Sequence, residues 1–340
     1  MISIDKRIVE EQIRSFKSQF NNQHDSIKEN LIEMRRLYSK NMSKEEARFL
    51  NKIIVEFKTK TNSLLIAYDL DSIKDRIGEI PPQKITQNRK NKIIYLKDLI
   101  LMAFGYDYLR SDFYPTFYDS IGIRACVYCN SQLTVSVSKN KYPVSKKGRK
   151  KPLYSLGNEV SAKFQLDHYY PKSKYPYLSA SVFNLYPSCA TCNNIKSANP
   201  VDFRLYTNKL EPSRYRFYLD TDSKAEYLKS NDIDDIKVKF LDPDKETDNI
   251  KSPGSFEDTF HLSSIYNTQK DIIEELFYKR RAYDESYKSV LKKSFSSIFN
   301  DTNLSKRIIL GNYTDEADIH KRPLSKFMQD IADDIFFNYK

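Results

Sequence analysis

Two identical cysteine pairs constrain this chain more than anything else in its 340 residues. Cys126-x-x-Cys129 and Cys189-x-x-Cys192 use every cysteine and leave none over. The spacing lets two thiolates grip one edge of a tetrahedral ion, so two such knuckles predict one four-thiolate zinc site. Such a closed site keeps no open coordination position, so its zinc is structural. Disulfides are the alternative, and they need an oxidising compartment. The N-terminal residues MISIDKRIVEEQIRSFK break up their apolar positions with charges, and no apolar run approaches the ~18–20 residues of a membrane span. The expectation is a cytoplasmic protein with neither signal peptide nor membrane contact. Residues 130–188, between the knuckles, outrun a zinc ribbon, so something substantial is inserted there.

Charge narrows the class of partner. The net charge is +11, yet residues 81–200 alone hold 18 Lys/Arg against 6 Asp/Glu. A concentrated excess of this kind is the footprint of a surface that meets phosphate. Its densest stretch carries Lys146, Lys147, Arg149, Lys150 and Lys151 with no acid among them. A solvated basic loop without a partner is the bland alternative. Only 7 Gly are present, and neither G-x-G-x-x-G nor G-x-x-x-x-G-K-[ST] occurs, so no dinucleotide fingerprint or P-loop is expected.

The first eighty residues read as helices, from Ile8, Ile13, Phe16 and Phe20 and then Ile32, Leu37, Leu50, Ile53, Ile54 and Phe57. Ser43 with Glu46 three residues later predicts a capping box. Pro81-Pro82 closes that section. Residues 214–219 (RYRFYL) and 236–241 (IKVKFL) alternate as two strands of a hairpin, and helical periodicity returns from Phe260. Pro323 is expected in the first turn of a final helix. His24, His261 and His320 stand alone and read as structural or surface histidines.

The segment around the second knuckle is more specific. Phe164-Gln165-Leu166-Asp167-His168-Tyr169-Tyr170-Pro171 predicts a short strand ending in an Asp-His pair, followed by a basic turn with Lys172 and Lys174. Asn184 then leads to Pro187-x-Cys189-x-x-Cys192-Asn193-x-x-Lys196. Over roughly residues 120–200 this resembles the HNH endonucleases in their zinc-bearing variety, with Asn193 in the third position of the signature. The resemblance implies an α+β, mainly helical chain with a central ββα-metal nuclease domain (116–205) stapled by the four-cysteine zinc. A helical region (1–115) would precede it, and a strand pair with further helices (206–340) would follow.

What the resemblance implies about chemistry suits the residue types. Phosphodiester hydrolysis needs a base that titrates near neutrality, and an unperturbed histidine pKa of ~6.5 fits His168 for it. A hard cation, Mg²⁺ or Mn²⁺, prefers oxygen ligands, which Asp167 and the amide of Asn193 would supply. Asn184 would hold the loop that orients His168. Lys172, Lys174 and Lys196 would meet phosphates, with the basic stretch 139–151 extending the track along DNA; RNA is not excluded by any residue. No recognition helix for base readout is visible, so low specificity is expected.

The flanks suggest restraint or recruitment, through self-association or a partner. The layout is similar to HNH effectors of prokaryotic antiphage systems, including those paired with an ATPase such as Septu; the missing P-loop fits an ATPase supplied in trans and equally fits no ATPase at all. Co-purification with a partner would support that setting, and unregulated cutting by the isolated chain would count against it. Two other classes remain open: a zinc-stabilised nucleic-acid-binding module without catalysis, and a partner-docking protein whose middle only stiffens the chain.

Overall fold

The computed structural model describes residues 1–60, 63–82, 85–87, 93–138, 160–199, 201–242 and 255–336. Within them the chain is an α+β protein, mainly helical, whose strands pair only two at a time. It divides into two compact units, each assembled from separated stretches. The first takes residues 1–5, 122–134 and 188–340, and the second takes 6–121 and 135–187. The window 116–205 is therefore shared between them.

In the second unit the long helix Lys17–Tyr38 buries Phe20, His24, Ile27, Leu31 and Met34. Those positions recur every three or four residues, which is one helical face. The stripe runs in a different phase from the one expected: Ile32 and Leu37 are exposed, as is Ile8 on the preceding helix Lys6–Ser15, and His24 takes an apolar place in the core against Phe57. Periodicity alone misjudges this helix because one buried position is a histidine. The following helix, Lys44–Glu56, starts at the expected capping box. Ser43 accepts from the Glu46 amide at 3.2 Å and Glu46 returns a carboxylate to the Ser43 amide at 2.7 Å. Such a cap contributes about 1 kcal/mol. Phe16 and Phe20 meet Phe113 and Phe117 edge to face, the arrangement that ring quadrupoles favour.

Two buried tyrosines in this unit fasten the segment that follows. Tyr114 donates its hydroxyl to the Ala180 carbonyl, and Tyr118 donates to the carbonyl of Val182 at 2.9 Å. The Val182 amide donates to Leu65 O at 2.9 Å. Residues 180–185, a buried 3₁₀ turn (Val182–Asn184) running into the strand that starts at Leu185, thus have polar groups answered by side chains and a neighbouring turn.

The first unit is organised around the expected hairpin. Strands Arg216–Leu219 and Val238–Leu241 pair antiparallel, from Val238 against Leu219 to Leu241 against Arg216. The polar segment between them holds a helix, Thr221–Ser230, rather than a plain loop. The final helix begins at Ser325, so Pro323 lies before it, with Leu324 in the left-handed region at φ 64°. That helix satisfies the hairpin's edge with two carboxylates one turn apart. Asp330 accepts the Phe217 amide at 2.9 Å and Asp334 accepts the Leu219 amide at 3.0 Å. Lys326, at 3% side-chain exposure, pairs with Asp330 at 2.6 Å. His320 is buried and bonds the Ile2 carbonyl through Nε2 at 2.9 Å.

Candidate metal centre and the His168 site

All four cysteines come together inside the first unit. Their Sγ atoms lie within 4.8 Å of one another, and all four are buried. Cys129 Sγ and Cys189 Sγ are 4.0 Å apart, close to the ~3.8 Å that four sulfurs at ~2.3 Å from one tetrahedral ion require. A disulfide would need ~2.05 Å, so no bridge forms and the cysteines are free. The local fold explains the convergence. Cys126 donates its amide to Gln132 O at 2.9 Å and accepts the Asn130 amide at 2.8 Å, which closes the first knuckle. Cys189 stands at the N-terminus of helix Ala190–Lys196, with its sulfur facing the Cys192 amide at 3.5 Å.

The electrostatics ask for a cation. Burial pushes the Cys126 thiol above its ordinary range, and four thiolates packed so closely would repel one another. Weak donors already point at the sulfurs: the Cys189 amide reaches Cys126 Sγ at 3.3 Å and the Ser131 hydroxyl reaches Cys129 Sγ at 3.2 Å. The buried hydroxyl of Tyr266 donates to Cys129 O at 2.7 Å, and burial and then the neighbouring thiols drive its own ionisation far upward. This donor set could hold a divalent metal such as zinc.

Asn130 is a residue that the spacing of the cysteines does not reveal. It is fully buried, with φ 54°, a conformation that asparagine tolerates better than most residues. Its Nδ2 donates to Ile319 O at 3.0 Å, and its Oδ1 accepts the Lys326 amide at 3.0 Å. Its carbonyl accepts the Leu324 amide at 2.7 Å. One side chain therefore ties the first knuckle to the start of the last helix. A sequence signal existed: asparagine directly after a knuckle suits a left-handed turn.

Asp167, His168 and Asn184 belong to the second unit. The strand Gln165–His168 pairs with Leu185–Ser188 and ends at His168, as the sequence predicts. Asp167 and His168 are both buried. His168 Nε2 lies 3.0 Å from the Ser179 carbonyl. A carbonyl only accepts, so the neutral ring carries its proton on Nε2 and keeps the lone pair on Nδ1. Asn184 is fully buried and answers three backbone groups. Its Oδ1 accepts the Tyr170 amide at 2.7 Å, and its Nδ2 donates to Tyr170 O at 3.1 Å and Leu178 O at 3.0 Å. The Tyr169 amide donates to Asn184 O at 2.9 Å. Together these bonds clamp the loop that follows His168.

The remaining site residues fall in different places. Asn193 and Lys196 sit on helix Ala190–Lys196 of the first unit, beside Cys192; Asn193 lies inside that helix, and Lys196 is buried at 2% exposure. Lys172 and Lys174 are in the second unit on the turn after His168, where Lys174 meets Glu79 at 3.5 Å. Lys146, Lys147, Arg149, Lys150 and Lys151 lie outside the described residues. Among the described residues no helix is long and apolar enough to cross a membrane. No family model, no curated protein and no solved structure matches this chain.

Proposed function

We propose that this chain is a metal-dependent endonuclease of the HNH type, hydrolysing DNA phosphodiesters with His168 as general base, around a structural zinc on Cys126, Cys129, Cys189 and Cys192. The observation that carries the reading is the His168 ring, bonded at Nε2 to the Ser179 carbonyl at 3.0 Å directly after Asp167. A core histidine needs only a partner. This one has a fixed tautomer, a carboxylate as its chain neighbour and a following loop clamped by Asn184.

In this mechanism Nδ1 of His168 takes a proton from water as its oxygen attacks phosphorus and the P–O3′ bond breaks. General-base assistance of this sort contributes about 10²–10⁴-fold. Asp167 would supply a carboxylate to Mg²⁺ or Mn²⁺, either one a hard ion that prefers oxygen ligands. When bound it neutralises charge building on the phosphate and the departing oxygen. Asn184 keeps the His168–Tyr170 backbone in place, and Ser179 holds the ring against rotation.

The test is cleavage of supercoiled plasmid by the zinc-loaded protein. Nicking or linearisation with Mg²⁺ or Mn²⁺ that stops in EDTA, while zinc stays bound, supports the reading. Salt-sensitive plasmid binding that is indifferent to Mg²⁺, with no cutting at any divalent concentration, favours the binding module instead.

A further inference from the structure

The second unit carries a group of cations beside His168 that lies partly outside the signature segment. The Tyr106 ring packs against the His168 ring at 5.4 Å between centroids. Lys172 Nζ sits 4.6 Å from the centroid of the same tyrosine ring, and the Arg110 guanidinium sits 5.8 Å from it. Both distances fall within cation–π range. Arg110 is carried by a π-helical turn, Leu109–Phe113, inserted between the short turn Tyr106–Tyr108 and the helix Tyr114–Ile121. Such turns are rare and concentrate at functional sites.

The charges in this group are incompletely answered. Among the described residues no carboxylate lies within ion-pair distance of Lys172, which is half-buried. Burial holds its ammonium below the ordinary lysine range, and the charges of Arg110 and Lys97 push the same way against the pull of Asp107. Arg110 has one partner among the described residues, Asp107 at 3.5 Å, but that pair is solvent-exposed and contributes little. Two cations on one tyrosine ring that itself packs on a candidate base are arranged for an anion that would relieve them.

We propose that Arg110 and Lys172 form a phosphate-binding cup, braced on the ring of Tyr106, that seats a nucleic-acid phosphodiester beside His168. This rests on the reading of His168 as the reacting group. It assigns a role in substrate binding to the helical N-terminal region, which the signature residues leave without one. Tyr106 is a positioning residue here, acting through the cations and the His168 ring.

The experiment measures binding of a fluorescein-labelled 20-base-pair duplex in EDTA, by anisotropy, across a salt series. Arg110→Gln and Lys172→Gln are compared with the wild type singly and together. Removing one cation from the phosphate should make the slope of log K against log[salt] shallower by ~0.9, so the double variant should fall short of the wild type by up to about two such steps. Arg110 is solvent-accessible, so its variant should keep the wild-type melting temperature. Slopes equal to the wild type in both single variants and in the double would overturn the cup, even if the wild type cuts plasmid. Shallower slopes would support it, even if the wild type never cuts, and the hydrolytic reading alone would then fall.

Discussion

Single residues set the site's chemistry, and several make separable predictions. Asn184 answers three backbone groups from a fully buried position. Asn184→Ala would strand those groups, at roughly 1–3 kcal/mol for each that water cannot reach. The expected result is a fall in urea midpoint together with a loss of cleavage. His320 gives a pH signature. Burial lowers its pKa from 6.5 to about 4 despite the Ile2 carbonyl. The unfolded chain therefore binds the proton first. Stability should be full above pH 6.5 and should fall by about 3 kcal/mol as the pH drops from 6.5 to 4. His320→Gln can keep the bond to Ile2 O without titrating, so its urea midpoint should lose this part of the acid slope. An unchanged slope would show that His320 does not titrate across that window.

At the level of elements, the two knuckles and the last helix behave as one assembly. Asn130 joins them with a backbone and two side-chain bonds, so Asn130→Ala would lose a cap and place a less tolerant residue at φ 54°. A destabilisation of about 2–3 kcal/mol is expected by chemical denaturation. Metal removal should act on the same assembly. One zinc per chain is expected by elemental analysis, and a strong chelator should lower the melting temperature, with Cys189→Ser reproducing the loss. A protein without zinc whose melting is indifferent to chelation would contradict the four-thiolate site. Elements with local signals were readable in advance. Ser43 and Glu46 announced their capping box, the alternation in 214–219 and 236–241 announced the hairpin, and the Asp-His strand ended where expected. What escaped was non-local. The phase of helix Lys17–Tyr38 depends on a buried histidine, and the start of the last helix is set by Asn130, far away in sequence.

Across the whole molecule, the cysteine spacing made the four-cysteine cluster legible because C-x-x-C dictates its own geometry. The division into two units was not legible, because each unit is sewn from separated stretches that no composition shift marks. Nor did the sequence place Arg110 on the ring of Tyr106, which depends on a π-helical turn. Lys196, a basic residue at motif spacing, is buried, because charge patterning reports composition before exposure. The central claim is that His168 is the base of a phosphodiester hydrolase. The direct measurement is single-turnover plasmid cleavage in Mg²⁺ by zinc-loaded wild type and His168→Ala, with and without added imidazole. A loss of at least about 10²-fold in the variant, partly restored by imidazole, is the predicted result. Equal cleavage by both proteins would contradict the account.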